Sequence, residues 1–289
     1  MRLPKGYLVA IGGAEDKGDE KTVEQANGVH FLENGILKIV VNLMGVEQPT
    51  IAIITSATAY PRDAYRNYRD AFSQLGCSNI CHIDIRETAT AHEEEMLRRI
   101  EKCQGVMFTG GDQSKLYEVL QNTPVLQRIK DRYLLDPYFV VAGTSAGAAA
   151  MSDIMMNGGN TEKAYFKGEI SLSDGFGFLK EAIIDTHFDA RGRFARLSQA
   201  VAAKPGIVGI GLSEDTGAII EKGTTLKVIG SGSVTIIDGS EVEYNNINCV
   251  RKGAPISIGK LGIYLMANSD RFNLKTKKFT PVAFEEFKI

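Results

Sequence analysis

From Tyr7 to Met151, runs of apolar, β-branched residues alternate with segments of helical length and helical periodicity, and this rhythm constrains the fold more than any other feature of the chain. Parallel strands need long crossover connections, so alternating strand and helix signals predict a parallel sheet with helices on both faces. The predicted strands are YLVAIGG (7–13), TIAIITSA (50–57), NICHIDI (79–85), GVMFTGG (105–111) and YFVVAGTSA (138–146). Most are apolar throughout, as expected of strands covered on both faces. Crossover helices are predicted at 63–76, 91–103 and 113–121, where residues such as Met96, Leu97 and Ile100 share one face.

Texture changes in the second half. After a helical stretch at 191–203 come short strand-like runs at 206–213, 216–223 and 225–239 with glycine-rich turns, and the latter two should form antiparallel hairpins that extend or flank the sheet. The tail from Gly253 to Phe279 reads similarly. No Pro/Ser-rich linker, repeat or low-complexity tract interrupts the 289 residues, which favours one doubly wound α/β domain over 1–289. With 33 basic against 35 acidic residues, the net charge of −2 sets up no field that draws the chain onto nucleic acid or a membrane. Four scattered cysteines make no disulfide framework, and Cys77 and Cys81 read as a turn entering a strand rather than a metal site. The first residues lack a 7–15-residue apolar stretch, and no later segment has about 18 apolar residues in a row, so a cytoplasmic protein is expected.

Four of the predicted strands end in polar, glycine-containing turns: 12–17, 55–61, 109–113 and 143–147. In an open parallel sheet, ligands bind beyond the carboxyl ends of the strands, so these turns should line one crevice. The sharpest of them is Gly143-Thr144-Ser145-Ala146-Gly147, which follows an apolar strand and precedes a helix-compatible AAAM. That is the strand–turn–helix setting of a nucleophile elbow, with Ser145 as the nucleophile. The backbone N–H groups of Ala146 and of the Gly110-Gly111 turn, Gly111 in particular, would form the oxyanion hole. GGAEDK at 12–17 has neither G-x-G-x-x-G nor the P-loop lysine pattern, and no cofactor is called for.

A serine hydroxyl needs a base, and the chain has four histidines. His30, His82 and His92 fall in a polar stretch, inside a strand and at the start of a glutamate-rich helix, whereas His187 directly follows the apolar run EAIID and neighbours three arginines. The base needs an acid. Glu214, at another strand end, is the leading candidate, with Asp215 and Glu162 as competitors.

Together, GGAEDK (12–17), GGDQ (110–113), GTSAGAAAM (143–151), the D-x-H-F-x-x-R-x-R-x-x-R-L run from Asp185 to Leu197, and E-D-T (214–216) resemble the cyanophycinases, in the peptidase E branch of the serine peptidases. The resemblance runs from about residue 7 to about 250, and the spacings agree, 42 residues from Ser145 to His187 and 27 on to Glu214. It implies a class I glutamine-amidotransferase-like sheet, a Ser145–His187–Glu214 triad and, because relatives tend to be dimeric, a homodimer. It also implies the substrate: cyanophycin, a poly-aspartate chain with an arginine on each β-carboxyl, from whose end β-Asp-Arg dipeptides are released.

On that reading, Asp112 and Gln113 contact substrate. Arg191, Arg193 and Arg196 grip its carboxylates bidentately. Asp185 and Asp112 are candidates for its guanidinium groups. Where the family's run more often reads Asp-Gln-His, Thr186 stands here, and the 156–169 loop finds no secure counterpart. A peptidase acting on short β-aspartyl or aspartyl peptides, and a non-catalytic binding relative, are the alternatives.

Overall fold

The computed structural model describes residues 2–18, 28–159, 161–204 and 206–282. In the first half it runs β1 (Tyr7–Ile11), α1 (Ile36–Leu43), β2 (Thr50–Ile54), α2 (Pro61–Gln74), β3 (Asn79–Ile83), α3 (Glu94–Glu101), β4 (Gly105–Phe108), α4 (Gln113–Leu120), α5 (Pro124–Leu135), β5 (Val140–Thr144) and α6 (Ala146–Ala149). All five strands are mutually parallel, in the order β1-β5-β4-β2-β3. Each predicted strand exists but stops short of its turn, because the glycines and hydroxyl residues at the carboxyl ends bend out of the ladder. The two-residue strand period sends Leu8, Ala10, Ala52 and Ile54 into a core shared with α3, α4 and α5, while Val9, Ile11, Ile51 and Ile53 pack against α1 and α2. The sequence reading passed over α5, although it carries an N-terminal signature: Pro124 opens it and the Thr123 hydroxyl accepts from the Leu126 N–H at 3.3 Å.

The second half comprises β6 (Ile154–Gly159), β7 (Ile170–Asp174), β8 (Ala182–Thr186), α7 (Phe194–Ala203), β9 (Val208–Leu212), β10 (Thr216–Glu221), β11 (Thr225–Gly230), β12 (Val234–Asp238), β13 (Tyr244–Asn245), β14 (Ile258–Gly259), β15 (Gly262–Met266), β16 (Arg271–Asn273) and β17 (Lys278–Thr280). β10 adds antiparallel to β1, and β11, β16 and β17 continue outward, completing a nine-stranded sheet. The run expected as one strand unit at 225–239 divides between two sheets. β11 stays beside β10, whereas β12 crosses to a four-stranded sheet ordered β15-β12-β9-β8. Gly230 makes the turn possible: its φ is +97°, and a Cβ there would lie 2.3 Å from the Asp215 carbonyl oxygen. The segment expected as a polar loop, 156–169, takes in the end of β6 and the connection to β7, with which β6 forms a hairpin, and residue 160 lies outside the described residues. Among the described residues, no helix is long and apolar enough to cross a membrane.

Candidate active site

β5 delivers Ser145 to the rim of the large sheet. Its backbone (φ 50°, ψ −113°) is a conformation that a non-glycine residue holds only when its surroundings enforce it. Small residues make the enforcement possible. A Cβ on Gly147 would lie 2.3 Å from the Phe108 carbonyl oxygen, and one on Gly143 would lie 2.6 Å from the Met151 methyl. Beside the serine, the N–H groups of Ala146 and Gly111 have no acceptor among the described residues. Both residues border the same small cavity as Ser145.

β8 delivers the imidazole. Immediately beyond it, His187 (φ 48°) turns its ring so that Nε2 lies 3.0 Å from Ser145 Oγ, while Nδ1 lies 2.6 Å from Glu214 Oε1. For Nε2 to accept the serine proton, Nδ1 must carry the hydrogen and donate it to the Glu214 carboxylate. The imidazole is 14% exposed and the carboxylate 45%.

Three chain-distant segments are held in place by consecutive carbonyls at the end of β1. The Ser145 N–H donates to the Ile11 carbonyl at 2.9 Å, the His187 N–H to Gly12 at 2.9 Å, and the Asp215 N–H to Gly13 at 2.8 Å. Gly13 lies against the ring, since a Cβ there would meet His187 Cε1 at 2.4 Å.

The competing groups sit elsewhere. The Asp215 carboxylate accepts from the Asp16 N–H at 3.1 Å and the Ser231 hydroxyl at 2.6 Å, and burial pushes its pKa up. Glu162 is exposed in the β6–β7 connection. His82 stacks on Tyr65 and meets the Thr55 hydroxyl at 2.9 Å, while His30 and His92 are exposed.

Ser145 separates two cavities. The smaller, about 130 Å³, is bordered by Gly111, Gln113, Ala146, Asp185 and Thr186, and by Arg191, Arg193 and Arg196. The arginines do not form the free cluster that the sequence suggests. Asp185, 2% exposed, accepts from Arg193 Nη1 at 3.1 Å, from Arg196 Nε at 2.7 Å and also from Arg196 Nη2. Its carboxylate is therefore engaged inside the chain rather than open to a substrate guanidinium. Asp112 is exposed and caps α4, its Oδ1 accepting from the Ser114 N–H at 2.8 Å. The Gln113 amide donates to the Met156 carbonyl at 2.6 Å, tying the β6–β7 hairpin to the site. Among the described residues that border it, three guanidinium groups stand against one carboxylate, an excess of positive charge that suits substrate carboxylates. Buried Arg193 Nε has no acceptor among the described residues.

The larger cavity, about 310 Å³, is bordered by Ser145, His187, Gly13, Glu15, Lys17 and Tyr68 among others. GGAEDK reads from the sequence as a polar turn and as part of the family resemblance, with no role for Glu15, which is 4% exposed and accepts from the Thr144 hydroxyl at 2.7 Å and from the Tyr68 hydroxyl. Lys17 Nζ lies 3.0 Å from the same carboxylate and over the Tyr68 ring. Burial pulls the Glu15 carboxyl upward, but the ammonium and the two hydroxyls outweigh it and hold the group below its ordinary value. An acid and a lysine two residues apart, straight after a buried strand, were the available signal.

The model of peptidase family S51 matches residues 29–229. A cyanophycinase of Trichormus variabilis is 36% identical over 284 residues, covering 97% of this chain and 91% of the relative. A cyanophycinase of Synechococcus elongatus is 35% identical over 272 residues, covering 94% and 80% respectively. Among solved structures, a peptidase from an acI-B1 actinobacterium superposes with a TM-score of 0.59 at 18% identity, over 91% of this chain and 98% of that one, a likeness of fold.

Proposed function

Because the chain belongs to peptidase family S51, we propose that it is a serine exopeptidase that hydrolyses cyanophycin to β-Asp-Arg dipeptides through an acyl-enzyme on Ser145. The observation that carries this reading is the unbroken line from Glu214 through His187 to Ser145, ending beside two amide donors with no acceptor among the described residues. As Ser145 Oγ attacks the scissile carbonyl, its proton passes to His187 Nε2. The carbonyl oxygen becomes an oxyanion that the Gly111 and Ala146 N–H groups can meet. Nε2 then gives the proton to the leaving amine, and water repeats the sequence in reverse to free the acid. Glu214 fixes the ring and stabilises the imidazolium. The cationic cavity favours the arginine carboxylates of such a polymer. Thr186 stands where a longer amide is more usual in this family, and it borders the same cavity as Arg191 and Arg193.

The protein acts in the cytoplasm as a homodimer in this reading. Four unpaired cysteines suit a reducing compartment, and a net charge of −2 favours neither nucleic acid nor membrane as partner. Sedimentation analysis checks the dimer.

The activity is tested by incubating the protein with insoluble cyanophycin and identifying the soluble products by mass spectrometry. β-Asp-Arg is expected, abolished by a serine-directed covalent inhibitor and reduced about 10⁴-fold or more in Ser145→Ala. Intact polymer under conditions that degrade short β-linked peptides would overturn the substrate, and an active Ser145→Ala would overturn the nucleophile.

A further inference from the structure

The two cavities beside Ser145 differ in a way that the reaction itself can sort. The amide donors for the oxyanion border the smaller one, which places the acyl part of the substrate there. His187 borders only the larger of the two, and its Nε2 must hand a proton to the departing amine, so the leaving group lies on that side. An exopeptidase releases the terminal unit, and the group that distinguishes a terminal unit from an interior one is the free backbone carboxylate. Every unit carries an arginine carboxylate, but only the last one ends the backbone.

Among the described residues, Lys17 is the one lysine or arginine that borders the larger cavity. Lys17 has three N–H donors, of which the Glu15 side chain takes one at 3.0 Å and the Glu15 backbone carbonyl a second at 3.2 Å. No further acceptor for it occurs among the described residues. Its support is built rather than incidental, because Glu15 is itself buried and pinned by Thr144 and Tyr68, and the Tyr68 ring lies 5.0 Å beneath the ammonium. Asn67, exposed on α2, borders the same space and offers a second neutral donor.

We infer that Lys17, held by Glu15 and Tyr68, forms the leaving-group subsite and reads the free backbone carboxylate of the chain end, which makes the enzyme exo-acting. The assignment rests on the peptidase reading above. Glu15 and Tyr68 position the ammonium, and Lys17 is the group that touches substrate.

The test uses short β-Asp-Arg oligomers of defined length in three forms: with a free backbone end, with that end as a carboxamide, and with a free end but the last arginine's carboxylate amidated. For the wild-type protein, kcat/KM should favour the free end over the carboxamide by about tenfold to a hundredfold, the worth of one charge-assisted hydrogen bond in a sheltered site. Amidating the arginine should leave that preference in place. Lys17→Gln should bring the ratio toward one, mainly through KM for the free-ended peptide, and Lys17→Arg should retain a preference. Asn67→Asp, an exposed change that adds a negative charge to the same cavity, should also lower the ratio and does not depend on how Lys17→Gln folds. A wild type indifferent to amidation of the backbone end, or a Lys17→Gln protein with the wild-type ratio, overturns the subsite. A preference lost on amidating the arginine instead overturns the choice of carboxylate. Cleavage of polymer with unchanged ratios sinks the subsite alone, whereas no cleavage of polymer or of any oligomer sinks the cyanophycin reading and the subsite with it.

Discussion

Replacing Asp185 with asparagine separates two roles that the sequence leaves joined. The carboxylate is 2% exposed and faces Arg196, 8% exposed, and Arg193, 12% exposed, so little solvent screens these pairs. Removing one partner of a buried ion pair typically costs about 3–5 kcal/mol, because the other charge is left uncompensated. Asparagine keeps the shape and one accepting oxygen, which recovers part of this, and the expected loss is about 2–4 kcal/mol. At about 2–4 °C per kcal/mol for a large domain, the melting temperature should fall by about 5–15 °C. Thermal unfolding by circular dichroism, alongside KM for a β-Asp-Arg oligomer, reads both roles. A melting temperature within about 2 °C of wild type combined with a large rise in KM would refute the reasoning. It would mean that the carboxylate serves substrate guanidinium rather than the two arginines.

Gly13→Ala should lower kcat by about 10²-fold while the protein stays folded, because the added methyl meets the His187 ring at 2.4 Å and a displacement of about 1 Å suffices for such a loss; steady-state kinetics checks it. Glu214→Gln should lower kcat steeply and Glu162→Gln should not, since only the former accepts from His187; equal effects would reopen the choice of acid. The Glu15 carboxyl is held low in the folded chain, so it contributes stability above the unfolded pKa of about 4.3 and loses it as pH falls through the lower folded value. Denaturant unfolding from pH 6 to 3 should therefore show an acid limb that is shallower in Glu15→Gln, and unchanged curves would contradict the burial and pairing described.

The three residues in the proposed catalytic line were legible because each follows an apolar run, but the sequence did not show that Ser145 ends a strand of the large sheet while His187 and Glu214 follow β8 and β9 of the smaller one. What sequence could not supply was which side chains are already engaged when the chain closes. Asp185 reads as a free acid beside three arginines, yet a buried strand end cannot leave a carboxylate unpaired, so two of those arginines turn onto it. Asp112 carried a local signal for its cap, an acid just ahead of a helix, and it fills that role in the structure. Glu15 and Lys17 are meaningful only beside Tyr68 and Thr144, contacts that span up to 129 residues. The departure of β12 from the large sheet likewise depends on an accommodation at Gly230 that no periodicity records.

Main-chain bonding at the exit of β1 sets the terms for engineering this protein. The segments that carry the serine, the histidine and, one residue before its bonded amide, the acid arrive from widely separated stretches yet rest on three successive carbonyls, so they share one foundation that no side-chain exchange elsewhere supplies. An affinity tag ahead of Tyr7 leaves that foundation alone, whereas trimming the chain back past Gly13 would strip the three segments of their common anchor while deleting none of the reactive groups.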